Sequence, residues 1–130
     1  MSYLKSYLPA ILWLLITTVL SCLPGKDLPN IPMASFDKLA HATFYAVFAF
    51  LIYWGIRKSS TIKKRIAVIL SFFISSFYGL FMEWIQGTFF PYRTMDMKDA
   101  LANATGALIV CIFILMLKDT KNPNNYGFYN

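Results

Sequence analysis

The chain has 130 residues, of which 58% are hydrophobic and 14% are charged. A soluble domain carries about 25% charged residues, so this composition argues against a soluble fold and favours a single membrane domain. The net charge of +6 does not indicate nucleic-acid binding, because the Lys and Arg residues lie mainly in short loops between apolar runs.

The first apolar run, residues 7–23, is long enough to span a bilayer. Pro9 would fall in the first turn of this helix, where a missing N–H costs little. Pro24-Gly25 would end the helix. An alternative is a cleavable lipoprotein signal that ends before Cys22, but Leu20 fits that pattern poorly.

Three further runs predict spans over residues 38–56, 66–85 and 100–117. Charged or proline-containing segments separate them. The prediction is therefore an all-α, polytopic membrane protein, a four-transmembrane-helix bundle in one domain of residues 1–117. Residues 118–130 lack an apolar stripe and predict a flexible tail. Cys22 and Cys111 lie in separate apolar runs and indicate packing rather than a disulfide.

The orientation follows from the distribution of Lys and Arg among the loops. Eight of these residues lie in the termini and the loop between the second and third spans, and four lie in the other two connections. This bias predicts cytoplasmic termini. Of the six acidic residues, only Asp119 would then be cytoplasmic. The others are Asp27, Asp37, Glu83, Asp96 and Asp99.

The second predicted helix opens with a polar group. Asp37 can cap it by accepting N–H bonds from the first turn. His41 lies one turn later on the same face, and Tyr45 lies one turn beyond. A carboxylate beside a histidine fixes which ring nitrogen carries the proton. A helix cap plus one hydrogen-bonded buried histidine is the plain structural alternative.

The third and fourth predicted helices add polar groups at the same depth. Glu83 lies inside an apolar run and needs a partner, with Gln86 on nearly the same face. Asp96, Asp99 and Asn103 are spaced i, i+3 and i+7, which makes one helical stripe. That stripe continues to Gly106, which with Ala102 would allow close helix contact. Arg93 is the expected ion-pair partner of Glu83 or Asp96, although all of these groups could also form a purely structural network.

The ordered set of these residues resembles the VanZ-like family of small bacterial membrane proteins. The matching positions are Asp37, Lys38, His41, Tyr45, Glu83, Gln86, Pro91, Arg93, Asp96, Asp99, Asn103 and Gly106. Val110 departs from the family pattern, which commonly has a second glycine there. The resemblance implies a multi-pass protein of the bacterial cytoplasmic (inner) membrane. The founding member is linked to low-level resistance to teicoplanin, while many relatives lie outside resistance clusters.

Two functions are the main alternatives. The first is a non-enzymatic pocket on the outer face for a lipid-linked wall precursor or a lipoglycopeptide, with membrane lipid against the helices. The expected ligand-binding residues are Asp37, Lys38, His41, Tyr45, Glu83, Gln86, Arg93, Asp96, Asp99 and Asn103. The second is an enzyme acting on a lipid or glycolipid, with Glu83 and His41 as the catalytic acid and base.

Other readings receive less support from the sequence. Four short spans are few for a transporter unless the chain oligomerises, and the oligomeric state is unknown. A structural subunit of an envelope complex is a further alternative. We expect no cofactor and assign no metal site, since spacing alone does not decide whether the carboxylates and His41 would hold a hard cation.

Overall fold

The computed structural model describes residues 3–22, 34–91 and 93–119, and within these residues it contains four helices and no strand. The helices are α1 (Tyr3–Cys22), α2 (Ala34–Ser59), α3 (Lys64–Phe89) and α4 (Met97–Met116). Each is long and apolar enough to cross a bilayer. The predicted all-α fold with four candidate spans is thereby confirmed.

The helices are longer than the apolar runs that predicted them. Both α2 and α3 contain 26 residues and continue into polar sequence, because intrahelical bonds satisfy backbone groups that lipid would leave unpaired. Two local predictions are wrong as a result. Pro9 lies in the interior of α1 rather than in its first turn. Asp37 lies inside the first turn of α2 and is therefore not its cap.

The four helices run alternately up and down, with α2 at the centre. It packs against α1, α3 and α4, whereas α1 and α4 do not pack against each other in the described part of the chain. The end formed by the starts of α2 and α4 and by the last turns of α1 and α3 is termed the polar end. The opposite end, which carries Arg57, Lys58, Lys63, Lys64 and Arg65, is termed the basic end.

Side-chain contacts tie the chain together at the basic end. The Arg57 guanidinium donates to the Ile62 carbonyl at 2.7 Å, and it also pairs with Asp119 beyond the end of α4. The Lys64 ammonium donates to the Leu117 carbonyl. These contacts hold the α2–α3 connection against the end of α4.

Small residues let α2 and α4 approach closely. An ideal Cβ added at Gly106 would lie 1.9 Å from the Ala42 carbonyl oxygen, so no larger residue fits without moving a helix. The predicted close contact at Gly106 is thus confirmed. Farther along, Ala49 and Ala107 are fully buried. Many large apolar side chains, such as Phe77, instead face outward, as expected for helices surrounded by hydrocarbon, whereas others, such as Phe48, are buried between the helices.

Some predicted features lie outside the described residues. These are the end of the first predicted span at Leu23, the Pro24-Gly25 breaker, the charges Lys26 and Asp27, and tail residues 120–130 with Lys121.

Candidate functional site

Three helices bring polar side chains together at the polar end. Glu83 from α3 is 2% exposed and Asn103 from α4 is 1% exposed, so both are buried beside the partly buried His41 of α2. Buried polar groups need partners, since an unpaired one costs several kcal/mol in an apolar medium. The contacts among these three side chains therefore define the candidate site.

His41 is the centre of the cluster. Its Nδ1 lies 3.1 Å from Asn103 Oδ1, within hydrogen-bond distance, and 3.9 Å from Glu83 Oε1. Its Nε2 lies 3.8 Å from Asp37 Oδ1. Because Asn103 Oδ1 can only accept, the bond assigns a proton to Nδ1, and the other ring nitrogen, Nε2, faces Asp37.

Lys38 carries a positive charge into the same region. Its ammonium lies 3.1 Å from Asp99 Oδ1 and 4.0 Å from Asp96 Oδ2. The Lys38–Asp99 pair joins α2 to α4 one helical turn from the His41–Asn103 contact. The polar end thus combines an ammonium, an imidazole and several carboxylates within a small volume.

Asp96 links the start of α4 to Glu83. Its side chain caps α4 by accepting from the Lys98 amide at 2.8 Å. Its own backbone amide donates to Glu83 Oε2 at 3.3 Å. The buried carboxylate therefore has a fixed donor on one oxygen, while its other oxygen points toward His41.

Tyr45 closes the inner side of the cluster. Its side chain is buried and packs edge-on against Phe48. A Cβ added at Gly79 of α3 would lie 3.1 Å from the Tyr45 ring and 3.0 Å from Asn103 Cβ. Gly79 therefore provides the space in which Tyr45 and Asn103 meet, and Tyr45 forms an apolar floor beneath the polar groups.

Two predicted site residues lie elsewhere or are not tested. Gln86 is buried, but its amide donates to the Ser21 carbonyl at 2.9 Å and so binds α3 to α1. Arg93 lies in the α3–α4 connection, where its backbone amide donates to Phe90. The ion pair expected between Arg93 and Glu83 or Asp96 stays a prediction.

The sequence reading missed a stripe of small residues on α3, of which Gly79 and Ser75 lie against Tyr45 at the cluster. Ser71, Ser75 and Gly79 recur every four residues, and all three are buried. Ser75 also donates to the Tyr45 carbonyl at 3.2 Å. A stripe of small residues at this spacing is typical of close helix packing in membranes, so the signal was present in the sequence.

The arrangement suits binding of a charged or hydrogen-bonding group. Carboxylates can accept from hydroxyl, amine or ammonium groups, and the partly exposed Lys38 and His41 can meet anionic oxygens. A buried carboxylate beside an imidazole also has the elements of acid–base chemistry. The Asp37, His41 and Asp99 ligand atoms lie within 4.8 Å of one another, a spacing open to a metal ion.

Comparison with known proteins agrees with this description of a small helical membrane protein. A family model described as VanZ/LLP1 matches residues 4–118 of the chain. No curated protein and no solved structure gives a significant match. The matched region contains every residue of the candidate site and all four helices apart from Tyr3, the first residue of α1.

Proposed function

The chain belongs to the VanZ/LLP1 family, and we propose that its polar end is an extracytoplasmic pocket for the head group of a lipid-borne ligand. The ligand class is a lipid-linked cell-wall precursor or a lipoglycopeptide, two molecules that share a peptide and sugar head group on an apolar chain. Binding would link the protein to teicoplanin-type resistance or to maintenance of the cell envelope.

The observation that carries this proposal is the burial of Glu83 and Asn103 beside His41. Placing a carboxylate and an amide in the interior of a membrane bundle is costly, and ionisable residues in such positions commonly mark functional sites. Asp37 and Lys38 extend the cluster to the surface, where a head group can reach it. Exposed apolar side chains on the same helices offer a surface for acyl chains.

The outward orientation of the pocket is part of the proposal. It rests on the eight Lys and Arg residues in or near the termini and the α2–α3 connection, against four in or near the other two connections. With this orientation the protein lies in the cytoplasmic membrane with both termini in the cytoplasm. The pocket then opens at the outer face of the membrane, where the head group of an outer-leaflet lipid lies.

Site variants in a deletion strain test the proposal. We expect E83Q and H41A to abolish the function of the wild-type chain, because each removes one member of the buried cluster while conserving the bundle. Teicoplanin susceptibility is measured, with vancomycin in parallel, and lipid extracts of the strains are compared. T105A is the matched control, since Thr105 is exposed and its hydroxyl bonds only within α4.

The outcomes separate binding from packing. If E83Q and H41A accumulate in the membrane like the wild type and restore the phenotype equally well, the cluster serves only to pack the helices. If deletion changes lipid-linked wall intermediates but not drug susceptibility, the lipoglycopeptide is excluded and the wall precursor is retained.

An enzyme acting on a lipid or glycolipid at the outer leaflet is the alternative. It is favoured by the 3.9 Å separation between Glu83 Oε1 and His41 Nδ1, close enough for a proton to pass after a small movement. Glu83 would then be the acid or base and His41 its partner. A new lipid or glycan product in membranes that contain the wild type, absent with E83Q, would establish this function instead of binding alone.

A further inference from the structure

We propose that Asp37, His41 and Asp99 form a site for a divalent transition-metal ion, and that the ion displaces the Lys38 ammonium. Asp37 and His41 come from the first two turns of α2 and Asp99 comes from the first turn of α4. One ligand atom from each lies within 4.8 Å of the others. The proposal rests on the proposed function only in sharing its pocket, because metal binding can be measured without drug or lipid.

The separation between His41 and Asp37 is closer to that of two metal ligands than to a hydrogen bond. His41 Nε2 and Asp37 Oδ1 are 3.8 Å apart, too far for a hydrogen bond. Two ligands held at about 2.1 Å from one tetrahedral ion are themselves ~3.4 Å apart. A small movement of Asp37, whose side chain is 62% exposed at the helix end, would bring the pair to that separation.

The imidazole is oriented as metal-bound histidines are. Its Nδ1 is held by Asn103 Oδ1, which is buried and fixed on α4. Metal-ligating histidines almost always donate their other ring N–H to an oxygen in this way, which fixes the tautomer and the ring orientation. The ring nitrogen that remains to bind a metal ion is Nε2, which faces Asp37.

A second observation is that a cation already contacts one of the three proposed ligands, Asp99. The Lys38 ammonium already lies 3.1 Å from Asp99 Oδ1 and 4.0 Å from Asp96 Oδ2. Glu83 adds a buried carboxylate behind the imidazole. Lys38 is attached through a flexible side chain that is 36% exposed, so it can leave for solvent when an ion takes its place.

The ligand set indicates the class of metal. One imidazole with two carboxylates suits Zn²⁺, Mn²⁺ and similar transition ions, whereas Mg²⁺ and Ca²⁺ prefer sites built from oxygen alone. Three protein ligands leave a tetrahedral ion with an open position. That position could accept an oxygen of the head group bound in the same pocket.

Direct titration of the purified full chain tests the site. The affinity tag is removed so that His41 is the single histidine of the protein. The protein also carries C22S so that no thiol remains at the polar end. Zn²⁺ binding is measured by calorimetry and by metal analysis after dialysis, with Mg²⁺ for comparison. We expect one Zn²⁺ per chain, in preference to Mg²⁺.

Variants assign the ligands and the competing cation. H41A and D37N should each weaken Zn²⁺ binding by more than ~10-fold, and D37N changes an exposed residue that the fold does not need. K38M should strengthen binding, because the ammonium no longer competes. T105A, a change at an exposed residue of α4 whose hydroxyl bonds within that helix, is the control and should leave binding unchanged.

Three results would overturn the proposal. The first is the absence of one-per-chain binding in both the wild type and K38M. The second is unchanged affinity in H41A and D37N. The third is Zn²⁺ binding by K38M but not by the wild type, which would mean that the Lys38 ammonium is not displaced in the wild-type chain. If E83Q loses the drug or lipid phenotype while the wild-type chain binds no Zn²⁺, the metal proposal is wrong and the proposed head-group pocket is retained.

Discussion

Replacing Gly106 by alanine should weaken the bundle and open the candidate site together. The added Cβ would lie 1.9 Å from the Ala42 carbonyl oxygen, 2.6 Å from the carbonyl carbon and 2.7 Å from Cα. All three are backbone atoms of α2, so no side-chain rotation can relieve the contact. The two helices must move apart.

The size of the movement follows from ordinary contact distances. Restoring a separation of about 3.5 Å between the new methyl and Ala42 requires the helix axes to part by ~1.5 Å. Overpacking of this kind costs about 1–3 kcal/mol. The same movement would stretch the Lys38–Asp99 and His41–Asn103 contacts, both 3.1 Å, beyond hydrogen-bond distance.

Thermal unfolding in detergent measures the stability, and the complementation assay measures the site. We expect G106A to lower the unfolding midpoint and to lose function even where the protein still inserts. T105A changes the neighbouring exposed residue and should alter stability by less than about 0.5 kcal/mol. A G106A midpoint equal to those of the wild type and T105A would refute the close backbone contact between α2 and α4.

Two further predictions concern orientation and the docking of α1. In a C22S background, a cysteine at Ser60 should resist a membrane-impermeant thiol reagent added from outside, whereas one at the exposed Thr94 should react. Labelling at position 60 would show that the topology is the reverse of the predicted one and that the pocket faces the cytoplasm. W13F removes the 3.0 Å bond from the Trp13 indole to the Phe44 carbonyl, and it should lower the free energy of unfolding by about 0.5–1.5 kcal/mol. An unchanged unfolding midpoint would mean that this bond does not help to hold α1 against α2.

The sequence predicted the spans because hydrophobicity alone decides which segments enter a bilayer. It placed their ends less well, since a helix stops where its backbone bonds find other partners rather than where apolar side chains stop. Thus α3 continues to Phe89, where the Phe90 amide still donates to the Gln86 carbonyl. For the same reason Asp37 lies within α2, whereas Asp96 is a cap whose carboxylate meets the Lys98 amide.

Helical spacing also predicted one face of the site. Asp99, Asn103 and Gly106 all lie on the buried side of α4, as their i, i+4 and i+7 spacing requires. Spacing could not reveal contacts between helices. Asn103 pairs with His41, and Gln86 pairs with Ser21 rather than with a site residue. Both pairings depend on how far one helix is shifted along another.

The α2–α4 interface explains why the polar site and the tight contact occur together. Gly106 lets the two backbones touch at Ala42, next to the His41–Asn103 contact, so a short side chain such as asparagine can reach across. One turn farther from the polar end, Val110 occupies the position where the family commonly has glycine, and it packs against a cluster that includes Ala107. The interface is therefore held by backbone contact near the polar end and by side-chain packing beyond it. A substitution at Gly106 should then disturb the site more than an equal change of volume at Val110, because only Gly106 sets the distance across which His41 and Asn103 meet.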